Sequence, residues 1–438
     1  MTEKAAQSTD TEEDVSTSSK ELKNEYAHGW RGIALLITLL LINAFSQIDR
    51  ILPFILAESI KADLGLSDTE MGLLTGLAFA ICYSLLSLPL ARASDRGSPR
   101  FVLVSCILLW SAMTALGGFA ASFLFLALTR FGVAFGEAGA VPAGHALIAC
   151  KIRPEHRGLA IGLFAMGIPL GTMVGFAAGG TIGDTLGWRT AMIGAGVIGL
   201  LIALLTFFIT GPTPKRPRTS ANSEPFMQSS RRLLASPAFQ WLFIGSIFLG
   251  FAAVPFYAFA APFLIRTHGF SASEVGMSFG LLQGLMGIIG TLLGGRGFDR
   301  AVKSGSGRLI GPPAVLFLIA SATTTAALFV PTGWMSIALL VPGMFSFSFM
   351  LPWAFGAAHI VAGDGRQAQA SSLVMIGSGL LGPALGPVIV GMVSDAATAA
   401  HVPNGLGLGL LIVPVASVLT GFALLTANAR IAAALSQR

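Results

Sequence analysis

Apolar residues come in long runs in this chain, and the polar breaks between them mark twelve segments: 30–57, 70–91, 101–121, 123–149, 158–182, 188–210, 237–265, 273–294, 309–330, 334–362, 367–394 and 404–428. A helix crosses the hydrocarbon core of a bilayer with about 20 apolar residues, so each run predicts a membrane-spanning helix. Strict alternation of period two is missing, which excludes a β-barrel. Between the first two runs, Ser67 followed by Glu70 predicts a capping box that opens the second helix.

The pattern repeats. The loops after runs two and eight carry Asp95-Arg96 and Asp299-Arg300, 204 residues apart. Gly171, Gly175 and Asp184 of run five recur 211 residues later as Gly382, Gly386 and Asp395 of run eleven, and Arg157 recurs as Arg366 after 209. The chain therefore reads as two six-helix bundles, 30–210 and 237–430, joined by a cytoplasmic linker, 211–236, that bears Lys215, Arg216, Arg218, Arg231 and Arg232. Internal repeats with a site at their interface are a transporter architecture. Pro169, Pro383 and Pro387 predict kinks in the Gly-rich runs five and eleven.

Composition agrees with an all-α membrane protein: 54% of residues are hydrophobic and 11% charged, against about 25% charged in ordinary soluble domains. Residues 1–29 are polar, lack the apolar core of a cleavable signal, and read as a disordered cytoplasmic tail; 431–438 read as a second one. The net charge of +6 is not spread as a nucleic-acid-binding surface. With both termini inside, 22 of the 27 Lys and Arg fall in cytoplasmic segments, and only Lys61, Arg189 and Arg266 fall in outer loops. That bias predicts the orientation. Cys82, Cys106 and Cys150 lie in or at the ends of apolar runs and predict neither a disulfide framework nor a metal site. Gly305-Ser306-Gly307 is not followed by the Gly-Lys-Ser/Thr of a phosphate loop.

The remaining charges carry the chemistry. Run one holds Asp49 and Arg50, and run four holds Arg130 and Glu137, although an ionisable group at mid-membrane costs roughly 2.5 to 3.5 kcal/mol on insertion scales. Asn43, Ser46, Gln47 and Arg50 recur at i, i+3, i+4 and i+7 and form one polar stripe. Arg50 is thus expected to face a cavity and Asp49 a neighbouring helix. Arg130 and Glu137, seven residues apart, share a face, and Gly132, Gly136 and Gly139 allow another helix to approach it closely. The interiors of runs seven to twelve hold no charge. They offer Phe251, Phe256, Tyr257, Phe259, Phe263 and Met277 with Gln283, which predicts a cavity ionic on one wall and apolar on the other.

The twelve runs, the paired Asp-Arg loops and the Gly-rich fifth and eleventh runs resemble the major facilitator superfamily, although Ala91 stands where its loop motif begins with Gly. Asp49-Arg50, Gly136-Glu137-Ala138 with Pro142, Arg157-Gly158 and Gly187-Trp188-Arg189 resemble its Spinster family, in a bacterial-type member. The resemblance implies gradient-driven movement of lysophospholipids or sphingoid-phosphate-like lipids, with Asp95, Arg96, Asp299 and Arg300 as a cytoplasmic gate.

The expected function is proton-coupled alternating access in the inner membrane by a monomer, with no cofactor beyond the proton gradient and no metal. Asp49 and Glu137 would carry the proton, and Arg130 would pair with whichever is ionised. Arg50 would meet the anionic head, with Asn43, Ser46, Gln47, Arg130, Phe256, Tyr257 and Gln283 completing the substrate site. A carrier of small organic anions or drugs is the alternative; a non-transporting receptor and an intramembrane lipid enzyme are remote ones.

Overall fold

A computed structural model describes residues 29–211, 226–304, 310–363 and 366–436. The expected tail 1–29 (all but Gly29), linker residues Lys215, Arg216 and Arg218, and the Gly305-Ser306-Gly307 stretch lie outside them. The two bundles are built from twelve apolar helices: α1 (Gly29–Ile55), α2 (Asp68–Ser94), α3 (Pro99–Gly117), α4 (Phe123–Lys151), α5 (Pro154–Leu186), α6 (Trp188–Thr210), α7 (Pro237–His268), α8 (Ala272–Lys303), α9 (Gly311–Ala327), α10 (Gly333–Ala362), α11 (Gln369–Ala399) and α12 (Gly405–Ala432). Eleven are long and apolar enough to cross a bilayer, and α9 is a shorter apolar helix. The chain is a multi-pass membrane protein with twelve helices in two bundles.

The bundles repeat each other. In the first, α1 packs on α5 and α6, α2 on α4, and α3 on α4 and α6; in the second, α7 packs on α11 and α12, α8 on α10, and α9 on α10 and α12. The expected capping box at Ser67 and Glu70 is present, and Ser271 with Glu274 forms its counterpart at the start of α8. Each box runs into a π-helical turn, Leu73–Leu77 in α2 and Gly276–Gly280 in α8. In α11 the helix breaks between Gly379 and Leu381, because Pro383 has no N–H to donate one turn back.

Glycines set the helix spacing. A Cβ at Gly136 would lie 2.7 Å from the Cys106 carbonyl of α3, and one at Gly171 would lie 2.2 Å from the Ala44 carbonyl of α1. Neither backbone can yield without separating two helices. Gly171→Ala is therefore expected to destabilise the fold by about 1–3 kcal/mol, whereas Gly194→Ala, whose new methyl meets nothing within 4 Å, should leave it unchanged. Thermal unfolding of both variants in detergent tests this.

The helix ends define two faces: a terminal face, where α1 begins and α12 ends, and the distal face opposite. Toward the distal face the bundles lock together. A Cβ at Gly180 would lie 2.2 Å from the Ala272 carbonyl, one at Gly72 would lie 2.4 Å from that of Pro387, and one at Gly391 would lie 2.3 Å from that of Asp68. Toward the terminal face the same stripes meet nothing: Gly158 and Gly162 of α5, Gly295 of α8 and Gly379 of α11 have open space around them. The two halves thus close at the distal end and splay toward the terminal face.

Ion pairs seal the closed end. The Asp68 carboxylate, 1% exposed, accepts from Lys61 Nζ (2.5 Å), Ser394 Oγ (2.6 Å), and Arg266 Nη1 and Nη2 (2.7 and 2.8 Å). Arg266 also reaches Glu58 at 2.6 Å, and Arg189 pairs with Asp63. Two carboxylates cap helices of the opposite bundle: Asp395 accepts from the Asp68 and Thr69 backbone N–H groups (3.0 and 2.9 Å) and the Thr69 hydroxyl (2.6 Å), and Asp184 accepts from the Ser273 N–H (2.6 Å). Anions at helix N-termini are favoured by the unpaired N–H groups and the helix dipole. These are the acidic residues whose spacing marks the repeat.

Candidate functional site

The charged residues of α1 and α4 come together in the first bundle. Arg50 Nε donates to Glu137 Oε2 at 2.5 Å, and Arg130 Nη1 donates to the backbone carbonyl of Asp49 at 3.2 Å. The expected partnership is therefore exchanged: Arg50 holds Glu137, and Arg130 reaches the backbone of α1. A helical side chain leans toward its own N-terminus, and α1 and α4 run in opposite directions. The guanidinium of Arg50 is thereby carried toward the terminal side, where Glu137 sits two turns beyond Arg130.

Burial grades the four. Asp49, Arg130 and Glu137 are 1%, 3% and 0% exposed, whereas the Arg50 side chain is 30% exposed. Ser46 lies beside Glu137 and Thr114 of α3 beside Asp49. Of the four charged residues, Asp49 Oδ1, Glu137 Oε1 and Arg130 Nε are buried without a hydrogen-bond partner, and so is Thr114 Oγ1. A buried unpaired polar atom costs about 1–3 kcal/mol, more when charged, so each of these atoms would gain from a further partner. Two aromatic residues of α2 complete it: the Arg50 guanidinium lies 4.9 Å from the Phe79 ring centroid and 4.8 Å from that of Tyr83. Neither ring stood out in the sequence, although Tyr83 is one of only three tyrosines in the chain and stands with Phe79 at the i, i+4 spacing of one helix face.

Of the other polar-stripe residues, Asn43 is spent on packing, its Nδ2 donating to the Phe164 carbonyl of α5 at 2.7 Å. Gln47 is half-buried, with its Cβ where Gly171 crosses α1. In the second bundle the expected apolar wall is narrower than the sequence suggests. Phe256, Phe259 and Phe263, spaced three and four apart, are 1%, 3% and 0% exposed, because that spacing faces them into the bundle's own core, where Phe256 meets Phe279 and Phe347. Phe251 and Tyr257 remain half-buried. Gln283 Nε2 donates to the Tyr257 hydroxyl at 3.1 Å, and its Oε1 is buried without a partner.

Of the expected gate, Asp299 and Arg300 are exposed on the last turns of α8. The side chains of Asp95 and Arg96 lie outside the described residues. Among the described residues, no three His, Cys, Asp or Glu cluster closely enough to hold a metal ion.

Comparison with known proteins places these features. Residues 38–387 match the family model described as Major Facilitator Superfamily. The chain is 33% identical over 393 residues to an MFS-type efflux pump of Mycolicibacterium smegmatis, covering 90% of each protein. It is 25% identical over 405 residues to Protein spinster homolog 1 of Xenopus tropicalis, covering 85% of this chain and 75% of that one. A bacterial homologue of the human lysosomal transporter Spinster, solved inward-facing and unoccupied, matches with a TM-score of 0.80 at 28% identity over 93% of this chain and 98% of that chain.

Proposed function

The chain belongs to the Major Facilitator Superfamily and is Spinster-like, and from that premise we propose that it moves an amphipathic anion or zwitterion across the inner membrane by proton-coupled alternating access, with both termini cytoplasmic. The closed distal face is then periplasmic, and the open terminal face makes this an inward-facing state. The observation that carries the reading is the Arg50–Glu137 pair, one partner water-accessible and the other fully buried.

A proton and an anionic head compete for that pair. While Glu137 is ionised it holds Arg50 Nε; once a proton reaches Glu137, the guanidinium is released toward an anion, and its planar fork suits phosphate or carboxylate. Asp49, next to Arg50 on α1, supplies a second proton acceptor. A neutral carboxyl is cheaper to bury than a charged one, so protonation also lets the halves rock past the cluster. Asp95-Arg96 and Asp299-Arg300 would latch the terminal face in the opposite state. Lysophospholipids and sphingoid-phosphate-like lipids supply the head and a tail for Phe251 and Tyr257.

A second reading, carriage of small organic anions or drugs, draws support from the burial of Phe256, Phe259 and Phe263, which leaves less wall for a long chain. It draws further support from the identity to an efflux pump. Both are tested in sealed proteoliposomes with an imposed pH gradient, using labelled lysophosphatidylglycerol, a labelled aromatic carboxylate and a labelled hexose. The lysolipid is expected to move with the gradient and the hexose to remain. Gradient-driven carboxylate flux without lysolipid flux selects the second reading, and the absence of gradient-driven flux of either anion overturns both.

A further inference from the structure

We infer that Phe79 and Tyr83 form an aromatic clamp that holds the Arg50 guanidinium on Glu137, and that both are positioning residues of the charge cluster. The inference rests on the role proposed for Arg50.

The backbone of α2 explains why these two rings are there. In an unbroken α-helix, positions 79 and 83 lie seven and eleven residues beyond Gly72, within about 20° of it around the axis. They would then face α11, as Gly72 does where it meets Pro387. The π-helical turn Leu73–Leu77, closed by a bond from the Ala78 N–H to the Leu73 carbonyl, inserts one residue in between. The insertion rotates the rest of α2 by about 100°, and Phe79 and Tyr83 meet Arg50 instead. Their rings stack, with centroids 5.7 Å apart and planes at 17°, and the Arg50 guanidinium lies over both.

That pair of rings suits a half-buried cation. Ring faces attract a guanidinium electrostatically without neutralising it, so Arg50 keeps its charge for Glu137 and for an anion. Phe79 does this twice, since the Arg130 guanidinium also lies 5.8 Å from its centroid. One ring thus stands close to both guanidiniums of the cluster. Removing the rings would free Arg50 to swing away, and Glu137 would lose its counter-charge.

A hydrophobic carbodiimide modifies protonated carboxyl groups, so the pH at which half of Glu137 is labelled reports its protonation whether or not the protein transports anything. Labelling of purified full-length protein is read by mass spectrometry of the α4 peptide. Arg50→Gln is expected to raise the half-labelling pH by about one to three units, the range for losing an adjacent opposite charge. The Phe79→Leu and Tyr83→Leu double variant should raise it by about one unit, and Tyr83→Phe by less. The clamp is overturned if Arg50→Gln moves the midpoint while the Leu variants leave it at the native value, or if Tyr83→Phe alone equals the double variant. If even Arg50→Gln moves nothing, the proton-switch role of the pair falls and the clamp falls with it; loss of gradient-driven flux in the native protein, with the labelling shifts intact, would overturn only the transport reading.

Discussion

Glu137→Gln protein in proteoliposomes is expected to lose its response to a pH gradient, its flux falling at least about tenfold to the level the native protein shows without a gradient, a loss of about 1.4 kcal/mol or more of drive. The substituted amide keeps the shape of the carboxyl and its place beside Ser46 and Arg50. It cannot alternate between charged and neutral forms, so Arg50 would be permanently released. Binding of an anionic amphiphile should therefore persist while its dependence on pH flattens. Flux measured against interior pH decides the matter: a Gln variant that tracks the native curve would remove Glu137 from the coupling scheme.

Asp68→Asn should open the distal face. The carboxylate at this position, 1% exposed, is shared by Lys61, Arg266 and Ser394 and joins both bundles. Removing one partner from a buried ion pair costs about 3 kcal/mol or more, because Arg266 and Lys61 are left facing an amide. A change of that size, applied only to the closed arrangement, alters the ratio of closed to open molecules roughly a hundredfold. Spin labels at Leu186 and Val402, both exposed at the distal ends of opposite bundles, should report a longer-distance population in the variant. An unchanged distance distribution would show that packing at Gly72, Gly180 and Gly391 holds the closure by itself.

The range of each signal decides how much of it can be read from the sequence. Spans and repeats are local or periodic, so apolar runs and the spacing of Asp184 and Asp395 exposed the fold, and the Ser67–Glu70 box could be read from four residues. Partners across 87 residues, as for Arg50 and Glu137, depend on which way a long side chain leans after two helices have packed. A helical wheel records faces and says nothing of that lean. Phe79 and Tyr83 were concealed for a different reason: the π turn resets the period along α2, so regular spacing counted from Gly72 points both rings at the wrong helix. The phenylalanines of α7 misled in the opposite sense, since a stripe facing a cavity and a stripe facing its own bundle have the same spacing.

The two carboxylates that reach across the distal face do not grip equally. Asp395 engages two backbone N–H groups and a hydroxyl, and the buried Asp68 network stands directly beside it; Asp184 engages a single N–H. A lid fastened by a strong clasp on one rim and a weak one on the other parts first along the weak rim. The mouth of this protein should accordingly swing ajar between α5 and α8, with the α2–α11 seam as its pivot, and the earliest water to enter from that side would arrive off-centre.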